Sequence, residues 1–286
     1  MATLRLILFR LGHLGILIAM GAASVVYYLN ALAGHPHAHL GPVLAFLTVF
    51  VIYNFDHLRD SRGFDQASTP ERARYMIRYE RLFRTLIALS GAGYVALAAA
   101  FRPMALAIGA FYVASGSMYV IPFLPGKRIR RLKDIPFFKN VYVPACWLIL
   151  ILYSETDLRD YGTALLLGVG FLFIRLLISA TTGDIRDLQG DIAAKLKTIA
   201  TALGRKKALR LLQALNGLSI AWILFSCLRG FWLMSALAMI GPVLYIISLL
   251  RILERDPAQG EFVAEIFDFE LISYGPLMLL ATAVAR

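Results

Sequence analysis

Long runs of apolar residues without charged side chains constrain the fold of this chain more than any other feature. Windows of about 19 residues predict nine membrane-spanning helices, near residues 12–32, 40–55, 83–101, 103–123, 137–154, 161–182, 209–228, 231–250 and 266–285. Hydrophobic residues make up 59% of the 286 residues and charged residues 16%, whereas soluble domains average roughly 45–50% and about 25%. We therefore expect an all-α integral membrane protein, with residues 1–286 forming a single domain.

Lysine and arginine are unevenly divided between the two predicted membrane faces. The N-terminus and the long connections carry 23 of these residues, while the short connections and Arg286 account for four. The positive-inside rule therefore predicts that the N-terminus and the long loops are cytoplasmic. The net charge of +11 then reflects topology and attraction to anionic lipid headgroups, and we expect no nucleic-acid partner. A short chain without extra domains favours the inner membrane of a prokaryotic cell.

Two groups of aspartates follow the second and sixth predicted spans, both on the cytoplasmic side. The first group is Asp56 and Asp60, and the second is Asp184, Asp187 and Asp191. If each helix continues past the membrane edge, the members of each group share one helix face. Two D-x-x-x-D groups in corresponding places, four spans apart, indicate one shared site.

Five carboxylates at one membrane surface repel each other, which raises some of their pKa values unless a cation neutralises them. Oxygen ligands without a histidine or cysteine cluster suit Mg²⁺, which typically combines one or two carboxylates with substrate phosphates. The two groups facing each other would thus hold a Mg²⁺–diphosphate between them. The alternative for either group alone is a solvated helix end, where the aspartates pair with adjacent arginines.

The two motifs resemble those of the UbiA superfamily of intramembrane prenyltransferases. The second motif is the more specific: the stretch from Asp184 to Asp191 resembles the family's D-x-x-D-x-x-G-D pattern, and Lys-Thr and Leu-Gly pairs follow it. The first motif departs from the family pattern. The family has Asn four residues before the first Asp, where this chain has Ile52, and here Asn54 lies two residues before Asp56.

This resemblance implies a ring of nine helices around a central cavity that opens laterally to the bilayer. It implies an enzyme that transfers an isoprenyl group from a polyprenyl diphosphate donor to an aromatic or lipid acceptor, with Mg²⁺ as cofactor and release of diphosphate. The five aspartates would be the metal ligands. The oligomeric state, the acceptor and the chain length of the donor do not follow from the sequence.

Basic and amide side chains near these motifs complete the predicted site. Lys133, Lys139 and Asn140 belong to a segment that resembles the lysine-containing segment before the family's fifth span. Arg175 lies inside the sixth span, where an arginine is costly and by default marks a functional site. Its functional role would be a contact to the acceptor or a tether for the aspartate-bearing helix, and the alternatives are snorkelling and a structural ion pair. The predicted catalytic residues are Arg59, Arg175, Lys139 and Lys197, and the predicted substrate-binding residues are Asn54, Lys133, Arg186 and Asn140.

Three other functions remain open at this point. An intramembrane terpene cyclase would use a prenyl diphosphate without an acceptor, and the altered first motif permits it. A transporter or ion-binding protein is less consistent, because its charges tend to lie near the bilayer midplane and the acids here lie at the membrane edge. A CDP-alcohol phosphotransferase would need the run D-x-x-D-G-x-x-A-R, and here Leu188 and Gln189 follow Asp187.

Overall fold

All regular secondary structure in the described residues is helical. The computed structural model describes residues 10–63, 66, 69–120, 125, 132–154 and 162–284. The α-helices are α1 (Ile16–Leu32), α2 (Leu40–Asp60), α3 (Pro70–Arg78), α4 (Glu80–Phe101), α5 (Met104–Val120), α6 (Phe138–Leu148), α7 (Thr163–Arg186), α8 (Leu188–Ala193), α9 (Ile199–Leu203), α10 (Arg205–Leu228), α11 (Ile240–Arg255), α12 (Gly260–Phe267) and α13 (Phe269–Val284). Short 3₁₀ segments lie at Leu132–Asp134, Ile149–Tyr153, Met234–Met239 and Pro257–Gln259.

Six helical segments in the described ranges are long and apolar enough to cross a membrane. They are Leu40–Asp60, Glu80–Phe101, Thr163–Arg186, Arg205–Leu228, Met234–Arg255 and Phe262–Val284. Three shorter apolar helices, Ile16–Leu32, Met104–Tyr119 and Phe138–Tyr153, fall on the remaining predicted spans. The all-helical membrane architecture is confirmed, whereas the count of nine spans stays a prediction.

Several helices are interrupted close to where the predicted spans meet the site. Gly15 adopts a positive φ of 68° immediately before α1, a conformation that glycine reaches without steric cost. The helix α6 contains Pro144 and continues after Leu148 as a 3₁₀ turn. The helix α7 ends at Arg186 and α8 begins at Leu188, so the second aspartate motif spans a break rather than a continuous helix.

The helix α1 packs closely against both α2 and α13. A Cβ atom at Gly275 would lie 2.7 Å from the carbonyl oxygen of Ser24, so the two backbones approach directly. The Ser24 hydroxyl donates to the carbonyl of Ile272 at 2.8 Å and accepts from the amide of Gly275 at 2.8 Å. Small residues and interhelical hydrogen bonds of this kind are the usual means of helix association in lipid.

Candidate functional site

A cavity of about 570 Å³ lies between α2, α5, α6, α7 and the start of α13. One end is charged and the other is apolar and aromatic. All five predicted metal ligands line it, namely Asp56, Asp60, Asp184, Asp187 and Asp191. The two aspartate motifs, more than 120 residues apart in the sequence, therefore meet in one cavity.

The first motif lies on the last turn of α2. This helix extends to Asp60, so Asp56 and Asp60 are one turn apart on the same face, as the sequence predicts. Both side chains are partly buried, and Arg59, which is exposed, also lines the cavity. The first motif therefore presents two carboxylates and one guanidinium to the charged end.

Lys139 lies between two aspartates of the second motif. Its Nζ is 2.6 Å from Oδ1 of Asp184 and 3.8 Å from Oδ2 of Asp191. Asp184 is 1% exposed and Asp191 is not exposed, so their charges need a partner. The structure thus places the ammonium group of Lys139 among the carboxylates that the sequence predicts to bind a metal cation.

Asn140, which follows Lys139 on α6, holds Asp184 of α7 in position. Its Nδ2 donates to Oδ2 of Asp184 at 2.7 Å, and its Oδ1 accepts from the amide of Ile199 at 3.0 Å. Asn140 is buried and is not part of the cavity lining. It therefore connects the aspartate-bearing helix α7 to the N-terminus of α9.

Asp187 and Arg186 form an ion pair at the break between α7 and α8. The Arg186 Nε and Nη2 donate to the two Asp187 oxygens at 2.8 and 2.7 Å. Burial by itself would raise the pKa of Asp187, but the guanidinium outweighs it and the pKa lies below its usual value. For Asp191 burial is the larger effect, and it raises the pKa to about 6 despite the attraction of Lys139 and Arg186. The two carboxylates therefore differ in proton affinity.

Like Asn140, three other predicted residues do not line this cavity. Arg175 is fully buried away from the lining, and Asn54 is turned to the carbonyls of Leu14 and Phe50. Lys197 is exposed and lines a second, separate pocket together with Phe137 and Lys195. The side chain of Lys133 lies outside the described residues.

Arg175 instead belongs to a buried polar network between three helices. Its guanidinium lies 2.5 Å from Oε1 of Glu270 on α13 and donates to Oδ1 of Asn216 and Oγ of Ser219 on α10. Tyr274 also donates to Glu270. This arrangement fits the structural ion pair and the tether, two of the alternatives that the sequence left open.

Sequence reasoning missed Arg72, which lines the charged end of the cavity. The structure holds it on α3, where its Nη2 lies 3.0 Å from the hydroxyl of Thr69. Seven arginines occur in the 56–84 connection, and nothing in the sequence separates this one from the others. Its placement adds a third guanidinium, beside Arg59 and Arg186, to the lining.

Aromatic side chains form much of the rest of the lining. Tyr119 stacks on Tyr142 with ring centroids 5.3 Å apart, near the charged end. Deeper in the cavity, Trp147 Nε1 donates to the Tyr53 hydroxyl at 3.1 Å. The sequence contains too many aromatic residues to indicate which of them face the site.

The donor set at the charged end fits Mg²⁺. Both Asp191 oxygens are buried and lack a hydrogen-bond partner within the described part of the chain, which leaves them able to accept a cation. In the ranges that the structure describes, no three acidic, histidine or cysteine side chains form a metal site by themselves. Mg²⁺ typically uses one or two carboxylates and takes further oxygens from phosphates and water, so it does not require a complete protein ligand set.

Comparison with known proteins gives both a family and a fold. Residues 61–269 match the sequence profile of the UbiA prenyltransferase family, a range that begins just after Asp60. No curated protein sequence matches the chain.

Three solved structures have a similar fold at 15% sequence identity. A UbiA homolog from Aeropyrum pernix K1 in the apo state has a TM-score of 0.61, with 94% of this chain and 98% of that chain covered. Two structures of a UbiA homolog from Archaeoglobus fulgidus, bound to GPP and Mg²⁺ or to DMAPP and Mg²⁺, have TM-scores of 0.58 and 0.57, with 94% and 99% covered. At this identity the similarity establishes the fold.

Proposed function

Since this chain belongs to the UbiA prenyltransferase family, we propose that it transfers an isoprenyl group from a polyprenyl diphosphate to an aromatic or lipid acceptor within the membrane. The observation that carries this proposal is the meeting of five aspartates and Lys139 at the charged end of an otherwise apolar cavity. Two similar structures that hold a prenyl diphosphate and Mg²⁺ support the same donor and cofactor here.

The charged end is suited to bind the diphosphate. We assign the metal to the carboxylates of Asp56, Asp60, Asp184, Asp187 and Asp191. When bound there, Mg²⁺ supplies positive charge that stabilises the leaving diphosphate. Lys139, Arg59 and Arg72 add donors and positive charge in the same lining, so the chain can hold the diphosphate oxygens from several sides.

The apolar part of the cavity is suited to the prenyl chain and to the reacting carbon. Breaking the C1–O bond of the donor leaves an electron-poor allylic carbon, which water would quench in an open site. The rings of Tyr53, Tyr142 and Trp147 line this region and present the negative faces that attract a cation. The walls thus exclude water and stabilise the positive charge until the acceptor attacks.

Transfer is completed when an electron pair of the acceptor forms the new bond to C1 and a proton leaves the acceptor. Asp268 lines the cavity at the junction of α12 and α13 and carries a carboxylate able to take that proton. The residues that would bind the diphosphate and the carboxylate that would take the proton then lie on different walls of one cavity.

The test is Mg²⁺-dependent diphosphate release by protein in nanodiscs, with geranyl, farnesyl or geranylgeranyl diphosphate and a panel of aromatic and lipid acceptors. We expect release to require both Mg²⁺ and an acceptor. Asp184→Asn should reduce it by at least about a hundredfold, in the range found for loss of a group that stabilises developing charge. Asp256→Asn is the matched control, because Asp256 is exposed and only caps a surface turn.

The products distinguish the remaining possibilities. Release without any acceptor, together with a cyclised hydrocarbon or alcohol, would identify a terpene cyclase. Full activity of Asp184→Asn would contradict the proposed site, and release that is independent of Mg²⁺ would contradict the proposed cofactor.

A further inference from the structure

A second pocket of about 510 Å³ lies beside the charged end of the cavity, and we call it the side pocket. Its described lining consists of Phe137, Ile192, Lys195, Leu196, Lys197, Thr201 and Ala202. Lys195 and Lys197 are exposed, so the side pocket opens at the surface of the protein. Lys197, which the sequence predicts to be catalytic and which the cavity leaves out, therefore belongs to this neighbouring space.

Leu196 separates the two spaces. Of the described residues, it is the one that lines both the side pocket and the cavity. Its amide donates to the carbonyl of Asp191 at 2.9 Å, and its carbonyl accepts from Oγ1 of Thr201 at 3.1 Å. The backbone of Leu196 is therefore held from both sides, and its partly buried side chain is the part able to move between the two spaces.

The side pocket is built from elements that also carry the charged residues of the cavity. The amide of Phe137 donates to the carbonyl of Lys197 at 2.7 Å, which joins the start of α6 to the connection between α8 and α9. Lys139 lies near the start of α6, and Asp191 lies on α8. The same two segments therefore position a lysine and an aspartate in the cavity and two lysines in the side pocket.

Two residues of the side pocket have an unusual backbone conformation. Phe137 and Lys195 have φ angles of 61° and 57°, and within the described ranges they are the two residues other than glycine with a positive φ. A side chain makes this left-handed conformation costly, so glycine usually occupies it. Such residues tend to cluster at functional sites, where the surrounding structure holds them in place. Their coincidence here indicates that the side pocket has a use.

The side pocket is cationic, whereas the charged end of the cavity is mixed. Lys195 and Lys197 contribute two positive charges, and none of the described lining residues is acidic. The sequence from 192 to 253 contains no aspartate or glutamate. The charged end contains five aspartates, which repel an anion whenever a metal ion does not neutralise them. An anion that moves from the charged end to the side pocket therefore leaves this repulsion behind.

We propose that the side pocket is a second diphosphate site, which receives the leaving group from the charged end when the Leu196 side chain moves aside. Lys195 and Lys197 bind the phosphate oxygens there, as lysine does in other phosphate sites. This inference rests on the proposed function, because it takes diphosphate to be released at the aspartates. It adds a route by which the highly charged product leaves without crossing the apolar part of the cavity.

The first experiment measures binding of inorganic pyrophosphate to the full chain in neutral phosphatidylcholine nanodiscs, by calorimetry in the presence of EDTA. We expect the double variant Lys195→Gln/Lys197→Gln to bind at least about tenfold more weakly than the wild type, a difference of ~1.4 kcal/mol. Lys206→Gln/Lys207→Gln is the matched control, because these exposed lysines of α10 line neither space. It removes the same charge and should leave the affinity nearly unchanged at physiological salt, which screens distant charges.

The second experiment measures escape from the charged end without any prenyl transfer. Radiolabelled pyrophosphate is loaded with Mg²⁺ and chased with unlabelled pyrophosphate, and the loss of label is followed. Leu196→Phe should slow this loss several-fold, and Leu196→Ala should accelerate it. Leu203→Phe is the matched control, because Leu203 is exposed and lines neither space, and it should dissociate like the wild type.

Each outcome bears on one proposal. Equal affinity of the wild type and Lys195→Gln/Lys197→Gln would overturn the second site, and equal rates for the wild type and both Leu196 variants would overturn the route. A lipid headgroup offers the same phosphate chemistry. If anionic phosphatidylglycerol in place of part of the phosphatidylcholine displaced pyrophosphate from the wild type, the pocket would be a lipid site and the diphosphate assignment would be wrong. Failure of acceptor-dependent prenyl transfer, with these binding results as expected, would count against the proposed function alone.

Discussion

Lys139 places its ammonium group between two buried carboxylates, and its role differs between the free and the loaded site. In the structure it neutralises Asp184 at 2.6 Å and lies 3.8 Å from Asp191. A buried carboxylate without a counter-charge is strongly unfavourable. Lys139 therefore stabilises the free site, and under the proposed function it would be available to a diphosphate once Mg²⁺ neutralised the carboxylates.

Replacing Lys139 with methionine should separate these two roles. Removing one partner of a buried ion pair costs about 3–5 kcal/mol, so we expect Lys139→Met to lower the melting temperature without Mg²⁺. Added Mg²⁺ should recover more stability in the variant than in the wild type, while donor binding stays weaker. Thermal unfolding in detergent with and without Mg²⁺ measures this.

Lys206→Met is the control for that experiment, because Lys206 is an exposed lysine on α10. It should change neither the melting temperature nor its dependence on Mg²⁺. If Lys139→Met behaved like Lys206→Met, the ion pair with Asp184 would not contribute to the stability of the empty site.

Asp191 should make Mg²⁺ binding dependent on pH in the mildly acidic range. Burial raises the pKa of this carboxyl to about 6, so the folded chain binds a proton there that the unfolded chain would release. Ionised Asp191 thus costs stability above pH 6, and the cost disappears as the pH falls. Because Mg²⁺ requires the ionised form, we expect its affinity to fall about tenfold per pH unit below pH 6, or about 1.36 kcal/mol per pH unit for the one linked proton.

Calorimetric titration of Mg²⁺ between pH 5 and 7 would measure this slope. Asp191→Asn should bind Mg²⁺ more weakly at neutral pH and lose the slope, because the amide does not titrate. A slope that persisted unchanged in Asp191→Asn would assign the proton to another group.

At the scale of elements, the Arg175 network joins α7 to α10 and α13. The Arg175 guanidinium contacts Glu270 on α13 and the side chains of Asn216 and Ser219 on α10. Since α7 carries Asp184 at its last turn, nine residues beyond Arg175, this network fixes the helix that presents the second motif.

Replacing only one partner of the Arg175–Glu270 ion pair should therefore destabilise the protein more than replacing both. Arg175→Met leaves Glu270 buried without its cation, and we expect a loss of about 3–5 kcal/mol. The double variant Arg175→Met/Glu270→Met should recover much of this loss, because two apolar side chains replace two buried charges. Unfolding of both single variants and the double variant gives the coupling energy, and strictly additive losses would contradict the pairing.

Close helix approach at Gly41 makes a second prediction at this scale. A Cβ atom there would lie 2.0 Å from the backbone oxygen of Tyr153, so α2 and the 3₁₀ segment Ile149–Tyr153 must separate in Gly41→Ala. We expect destabilisation by about 1–3 kcal/mol, as for other overpacked sites. Gly93→Ala is the matched control, because no atom lies within 4 Å of its added Cβ; equal melting temperatures for the two variants would contradict the close approach.

At the scale of the whole molecule, the sequence predicted the features that depend on local pattern. Apolar windows predicted the six long apolar helices, and the helix period predicted that Asp56 and Asp60 share a face. The resemblance of the two motifs to the UbiA superfamily predicted the fold, and the resemblance of the segment before the fifth span led to Lys139 and Asn140. Patterns of this kind are set by residues close in sequence, or by motifs with fixed internal spacing.

Features that depend on distant pairing could not be read from the sequence. Arg175 and Glu270 are 95 residues apart, and no local pattern reveals that they meet rather than face the substrate. The hydrogen bond between the hydroxyls of Tyr94 and Tyr153 requires the mutual register of α4 and the 3₁₀ segment after α6, and helix periodicity does not fix register between helices. Arg72 resembles the other arginines of its loop, and only tertiary packing brings it to the cavity.

The orientation of the whole molecule in the membrane follows from charge, and it gives the last prediction. The charged end of the cavity lies on the side that carries 23 of the lysines and arginines, against four on the other, so we expect it to face the cytoplasm. Arg62 belongs to the first side and Arg229 to the second, and both are exposed. In a background with Cys146 and Cys227 replaced, a membrane-impermeant maleimide should therefore label Arg229→Cys in intact cells and Arg62→Cys after permeabilisation. The reverse order would place the diphosphate site on the outer face, where a donor made in the cytoplasm would have to cross the membrane before it could react.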